Sequence, residues 1–125
     1  MLDPRLIGEE LAGWGKVVLI ETIGRVTGTP ASAAVGFVEE GDGSLLVAAG
    51  SDGADWALNL RADPSCRVTI RERVTPCVVT EVQDADRARA LVQLVIKYGT
   101  PAEKLGHGPV FRLVPTPMMA WPPKP

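Results

Sequence analysis

Few side chains in this 125-residue sequence could carry chemistry by themselves. There is one histidine, His107, and there are two cysteines, Cys66 and Cys77. No G-x-S-x-G elbow exposes a serine nucleophile, and neither a Walker loop nor a G-x-G-x-x-G run is present. Glu9–Glu10 and Glu39–Glu40 are adjacent pairs on surface elements, a pattern of solvated charge rather than of a general acid and base. Two thiols and a distant imidazole do not match zinc-ligand spacing, so no metal is expected. If the chain catalyses a reaction, a cofactor carries the chemistry and the protein binds and orients it.

Two stretches have the composition for such binding. The first is TIGRVTGTP, Thr22 to Pro30, directly after the apolar run VVLIE. Its spacing fits a β-turn in which Gly24 and Gly28 take positive φ and Pro30 fixes the exit. The same residues could instead form an anion cradle. Glycines allow close backbone approach, the N–H groups of Val26, Thr27 and Gly28 can point inward, Thr22, Thr27 and Thr29 offer hydroxyls, and Arg25 supplies charge. The second stretch is GSDGADWALNLRADP, Gly50 to Pro64. A small loop, Ser51, Asp52, Gly53 and Ala54, runs into a helix that starts at Asp55, Trp56 and Ala57, and a helix N-terminus is an anion site. Trp56 suits a core anchor as well as it suits contact with a ring. Arg61 suits a local ion pair, and His107, alone in a loop, suits solvent.

These stretches need a scaffold to hold them. Leu2 to Gly13 has the pattern of a short amphipathic helix. KVVLIETIG, SAAVGFVEE and SLLVAAG are strands, with a hairpin turn at Gly41–Gly43. DWALNLRADP is a short helix stopped by Pro64, with Trp56, Ala57 and Leu60 on one side. SCRVTIRE alternates, placing Cys66, Val68 and Ile70 on one face, and TPCVVTEV follows it. A hairpin turning near Glu72–Thr75 would set Cys66 opposite Glu81 and Cys77 opposite Ile70, too far out of register to bridge. Asp84 caps a longer helix, Ala85 to Tyr98, with a stripe of Ala88, Leu91, Val92, Val95 and Ile96. PVFRLVP is the last strand, and a proline-rich tail holds Met118, Met119 and Trp121, either extended or folded back over a pocket. The expected fold is mainly β (α+β): a six-stranded antiparallel barrel with peripheral helices, one domain over 1–115 and a tail over 116–125.

The net charge of −2, with both signs interspersed, argues against nucleic acid as a partner. No apolar run reaches the ~20 residues of a membrane span, and the N-terminus lacks the basic start of a signal peptide. A cytoplasmic location with reduced thiols is expected.

Together the two stretches resemble the deazaflavin (coenzyme F420)-dependent nitroreductase family, within the split β-barrel superfamily of flavin-binding proteins. The matching residues are Thr22, Gly24, Arg25, Thr27, Gly28 and Pro30, then Ser51, Gly53, Trp56, Asn59, Leu60, Arg61, Ala62 and Pro64. The resemblance implies a split barrel and hydride transfer from reduced F420 to an electron-poor small molecule such as a quinone, nitro compound or activated alkene. It implies that the turn at Arg25–Gly28, with Val26 at its tip, holds the anionic phosphate and tail. It implies that Ser51 to Ala57 line the ring and places Tyr98, which also suits packing, at the substrate pocket, with His107 as a further candidate there. It leaves a homodimer open. Departures are Val26 where the family has lysine, Ala31 where it often has arginine, and Ala57 where it has tyrosine. They keep a second reading in view: the same barrel binding FMN, haem or an apolar ligand without turnover.

Overall fold

The computed structural model describes residues 17–49, 53–98, 108–117 and 121–122. The proposed N-terminal helix, Met118 and Met119 lie outside them. Among the described residues, seven strands and two helices follow in the order β1 (Val18–Ile23), β2 (Pro30–Val35), β3 (Phe37–Glu39), β4 (Leu45–Ala48), α1 (Asp55–Ala62), β5 (Ser65–Ile70), β6 (Arg73–Val82), α2 (Asp84–Tyr98) and β7 (Val110–Pro115). The strands form one sheet in the order β2-β1-β5-β6-β7-β4-β3, and every neighbouring pair is antiparallel. The expected antiparallel barrel is present as a curled, split sheet.

The strand count differs from six because SAAVGFVEE is not one strand. It divides at Gly36 into β2 and β3, and these sit at opposite edges of the sheet. One apolar run thus supplies both edges, and the backbone between them draws the sheet into a curl.

Period-2 alternation builds the interior. Val18, Ile20 and Thr22 of β1 point inward, as do Cys66 and Val68 of β5, Cys77 and Val79 of β6, and Phe111 and Leu113 of β7. A second cluster forms on the outer side of β4 and β7, where Leu46, Ala48, Val82 and Val110 pack under Ala90 and Leu94 of α2. β4 is therefore buried on both faces, which is why it reads as the unbroken run LLVA.

Two expectations are corrected. The face of α2 turned to the sheet carries Ala90 and Leu94, with Leu91 partly buried. Val92 and Ile96 of the expected stripe are exposed. The β5–β6 hairpin turns through two residues, Arg71 and Glu72, with Arg71 at φ 55°. The register therefore sets Cys66 opposite Cys77, not Glu81. A left-handed arginine carries none of the glycine or asparagine signal by which tight hairpins are recognised in sequence.

The barrel has two distinct ends. The ends of β1 and β4 and the start of β5 meet at one, where α1 packs with Ala57 and Leu60 buried. The β3–β4 and β5–β6 hairpins meet at the other. On the sheet's outer surface Glu21 and Arg67 form a two-bonded ion pair across β1 and β5. Trp121 stacks over that guanidinium, 4.9 Å from carbon to ring centre. No helix among the described residues is long and apolar enough to cross a membrane.

Candidate functional site

The turn after β1 folds tightly for reasons visible in its residues. Gly28 sits at φ 72°, a left-handed position that favours glycine, and its N–H donates to the Gly24 carbonyl at 2.8 Å. Gly24 is glycine for a different reason. It does not take positive φ; a Cβ there would lie 2.5 Å from the Thr27 hydroxyl and 3.1 Å from the Thr29 carbonyl. The Gly24 N–H donates to that same carbonyl at 2.8 Å. Thr27 and Thr29 share a hydroxyl–hydroxyl hydrogen bond of 2.8 Å at the surface, and Pro30 opens β2 opposite Ile23.

The turn is fastened to α1 through one side chain. Asn59 is 4% exposed, a polar residue in the buried flank of a helix. Its Oδ1 accepts the Arg25 backbone N–H at 3.1 Å and the Arg25 Nη1 at 2.8 Å. Its Nδ2 donates to the hydroxyl of Thr22, which is fully buried. Every polar atom of the amide is thus engaged, as a buried amide requires. Thr22 supports the clamp from inside the barrel rather than facing a ligand.

Arg25 lies along the first turn of α1. Its guanidinium donates to the Asp55 carbonyl at 3.3 Å and pairs with the Asp55 carboxylate at 3.1 Å. The Arg25 side chain is 34% exposed and that of Asp55 is 89% exposed, so the pair is open to water. Ala54 precedes the helix in extended conformation and provides no side-chain cap. Helix N–H groups and a cation therefore converge beside the turn. Of the amides expected in the cradle, that of Gly28 is used within the turn. Those of Val26 and Thr27 have no partner among the described residues.

The neighbouring residues divide by role. Trp56 is half-buried, its ring edge-to-face with Phe111 at 5.8 Å, so it both anchors α1 and shows part of its ring. Ala57 is fully buried and faces the core. Gly53 and Asp55 are exposed. Arg61 makes a two-bonded pair with Glu81 at 2.9 and 3.1 Å, which holds the Glu81 carboxyl below its ordinary pKa. Ser51, Asp52 and His107 lie outside the described residues, as does the Tyr98 side chain.

The chain matches the F420H2-dependent quinone reductase family over residues 4–104. It belongs to that family. The match spans both the turn and α1, the two elements that Asn59 joins. Solved structures share the fold of this family member. One is an F420-H2 dependent reductase, FDR-A, at 26% identity and TM-score 0.66, covering 78% of this chain and 93% of that one. Another, described as a domain-swapped dimer, has 23% identity and TM-score 0.66, covering 87% and 95%. A third is HutZ, the heme storage protein from Vibrio cholerae, at 19% identity and TM-score 0.69, covering 92% of each chain.

The family resemblance pairs the turn with the start of the helix, and the two lie side by side. The role of Asn59 was not legible. A lone asparagine in a helix gives no sign that its partners stand 34 and 37 residues away. The paired flanking motifs of the family were the only available signal.

Proposed function

We propose that this chain is a reductase that binds F420 across the β1–β2 turn and the start of α1, and passes a hydride to a quinone or similarly electron-poor acceptor. The observation that carries this reading is Arg25, held by Asn59 against a helix N-terminus whose N-cap residue, Ala54, provides no side-chain cap, while remaining open to solvent. The residues fit a ligand with a phosphate end. Arg25 and the amides of Val26 and Thr27 would take the anion, with the Thr27 and Thr29 hydroxyls beside them. The exposed part of Trp56 and the backbone at Gly53 and Ala54 would border the ring, with Ser51 and Asp52 preceding them. Tyr98 and His107 belong, on this reading, to the acceptor side. Reduced F420 supplies the hydride; the chain's part is to hold donor and acceptor in contact and to keep water out.

Asp55 bears directly on the reading. Its carboxylate occupies Arg25 where an anionic ligand would bind. An exposed ion pair of this kind contributes only about 0–1 kcal/mol, so a charged ligand can displace it.

A second reading is favoured by Val26 and Ala31. Both are exposed and neither carries charge where a polyanionic tail would gain from it. On that reading the barrel binds FMN, haem or an apolar molecule without turnover.

The test is anaerobic mixing of reduced F420, protein and a soluble naphthoquinone, followed through the deazaflavin absorbance. Oxidation that depends on both protein and quinone is expected, with Arg25→Ala raising KM for the cofactor more than it lowers kcat. F420 binding without oxidation by quinone, nitro or alkene acceptors would remove the reductase. A spectral response to FMN or haem alone would establish the second reading.

A further inference from the structure

We propose that Cys66 and Cys77 form a dithiol pair that closes to a disulfide on reaction with a small neutral hydroperoxide. The two residues face each other on adjacent antiparallel strands. Their register position is a hydrogen-bonded one. Two residues along, the Val79 N–H donates to the Pro64 carbonyl at 2.9 Å, and narrow and wide pairs alternate from there. Such pairs stand ~5.5 Å apart at Cα, inside the roughly 4.4–6.8 Å that a disulfide spans; their Cβ atoms lie toward the wide end of the ~4.5–5.5 Å cross-strand range, so closure must draw the two strands together. Both side chains point into the barrel, and both thiols are free.

The two sulfurs are not equivalent. The neighbouring Cys77 sulfur, and then burial, raise the pKa of Cys66, whereas the Cys66 thiol beside it lowers that of Cys77 against the opposing effect of burial. As a thiol, Cys77 donates in turn to the Thr75 carbonyl at 3.7 Å. Access differs as well. Both thiols are buried, but Cys77 and not Cys66 lines a cavity of about 640 Å³ at the end of the barrel away from α1. Leu45, Val68, Ile70 and Pro115 make that cavity largely apolar, with Arg73 and Glu39 at its edge. An uncharged peroxide can enter it; a charged disulfide such as oxidised glutathione is disfavoured by desolvation.

The chemistry balances within the pair. The Cys77 thiolate attacks the peroxide, breaking the O–O bond; after proton uptake the products are an alcohol, or water, and a Cys77 sulfenic acid. Cys66 then attacks the Cys77 sulfur, the S–S bond forms and water leaves. Two thiols have given two electrons and the peroxide has accepted them. Cys77 is the attacking group because it alone borders the cavity. Cys66 resolves from behind it, which needs no exposure.

The test treats the folded full-length protein with stoichiometric hydrogen peroxide and follows intact mass and free thiols. Wild type is expected to lose both thiols and the mass of two hydrogen atoms, reversibly with dithiothreitol. Cys66→Ala is expected to stop at a sulfenic acid trapped by dimedone. Cys77→Ala is expected to react at least ~10-fold more slowly, since the remaining thiol does not border the cavity. Circular dichroism of each variant establishes that it is folded. Thiol loss that tracks the global unfolding rate in denaturant would overturn the proposal. So would equal reaction rates in wild type and both variants, or faster oxidation by glutathione disulfide than by peroxide.

Discussion

The two ends of the barrel are built by opposite means. At the α1 end one buried amide, Asn59, joins a turn, a strand and a helix through three hydrogen bonds, and the apolar residues Ala57 and Leu60 fill the space beneath. At the hairpin end the described residues leave an apolar cavity that borders Cys77. The polar closure positions a cation and open amides at a rim. The apolar closure leaves room and a thiol. Geometry at the first end is fixed by hydrogen-bond satisfaction, which tolerates little change. Geometry at the second is fixed by strand register, which tolerates truncation of a side chain.

The largest expected contrast follows from that difference. Asn59→Ala leaves the Arg25 amide and the Thr22 hydroxyl without their partner, and should destabilise the fold by about 2–4 kcal/mol. Cys77→Ala, beside an existing cavity, should cost only ~1 kcal/mol. Urea unfolding of the two variants measures both. Equal losses would erase the distinction between the ends.

How much of this was legible in sequence depended on range. The turn is specified by its own glycines, and α1 by the run from Asp55 to Pro64, so both could be read locally. The division of SAAVGFVEE at Gly36 could not, because β2 and β3 differ only in which edge receives them. The Cys66–Cys77 register turned on Arg71 adopting positive φ, for which arginine gives no hint. The buried face of α2 was misjudged by about a third of a turn. Ala90 and Leu94 were selected by the outer surface of β4 and β7, whereas Val92 and Ile96 matched the same helical period. In each case the missing information lay in a partner distant along the chain.

A smaller effect is expected at Asp55. Asp55→Ala frees Arg25 and should tighten binding of an anionic cofactor by up to about fivefold at low salt, with less than ~1 kcal/mol change in stability. Fluorescence titration at two salt concentrations measures it. Weaker binding would mean that Asp55 orients Arg25 rather than competing for it.

The smallest effects concern pH. Arg61 holds the Glu81 carboxyl below its ordinary pKa at the α1 end, and Arg112 does the same for Glu40 near the β3–β4 hairpin. A carboxyl whose pKa is lower in the folded state stabilises the fold above its unfolded pKa. That contribution disappears as pH falls through the lower, folded value. Stability should therefore fall on acidification below the ordinary carboxylate range. Arg61→Gln and Arg112→Gln should each flatten that decline by under ~1 kcal/mol, since both pairs are partly exposed. An acid limb unchanged in either variant would assign the acid sensitivity to other groups.

The most direct measurement is an isothermal titration of F420 into wild type and Arg25→Ala. On the proposed binding mode, with Val26 and Ala31 uncharged, Arg25 is the cation on which the phosphate end would depend. Its removal should weaken binding about ten- to a hundredfold, the loss of one charge-assisted hydrogen-bond set, and should reduce the salt dependence of what remains. Equal affinity and equal salt dependence in the two proteins would contradict the assignment of the β1–β2 turn as the anion-binding element.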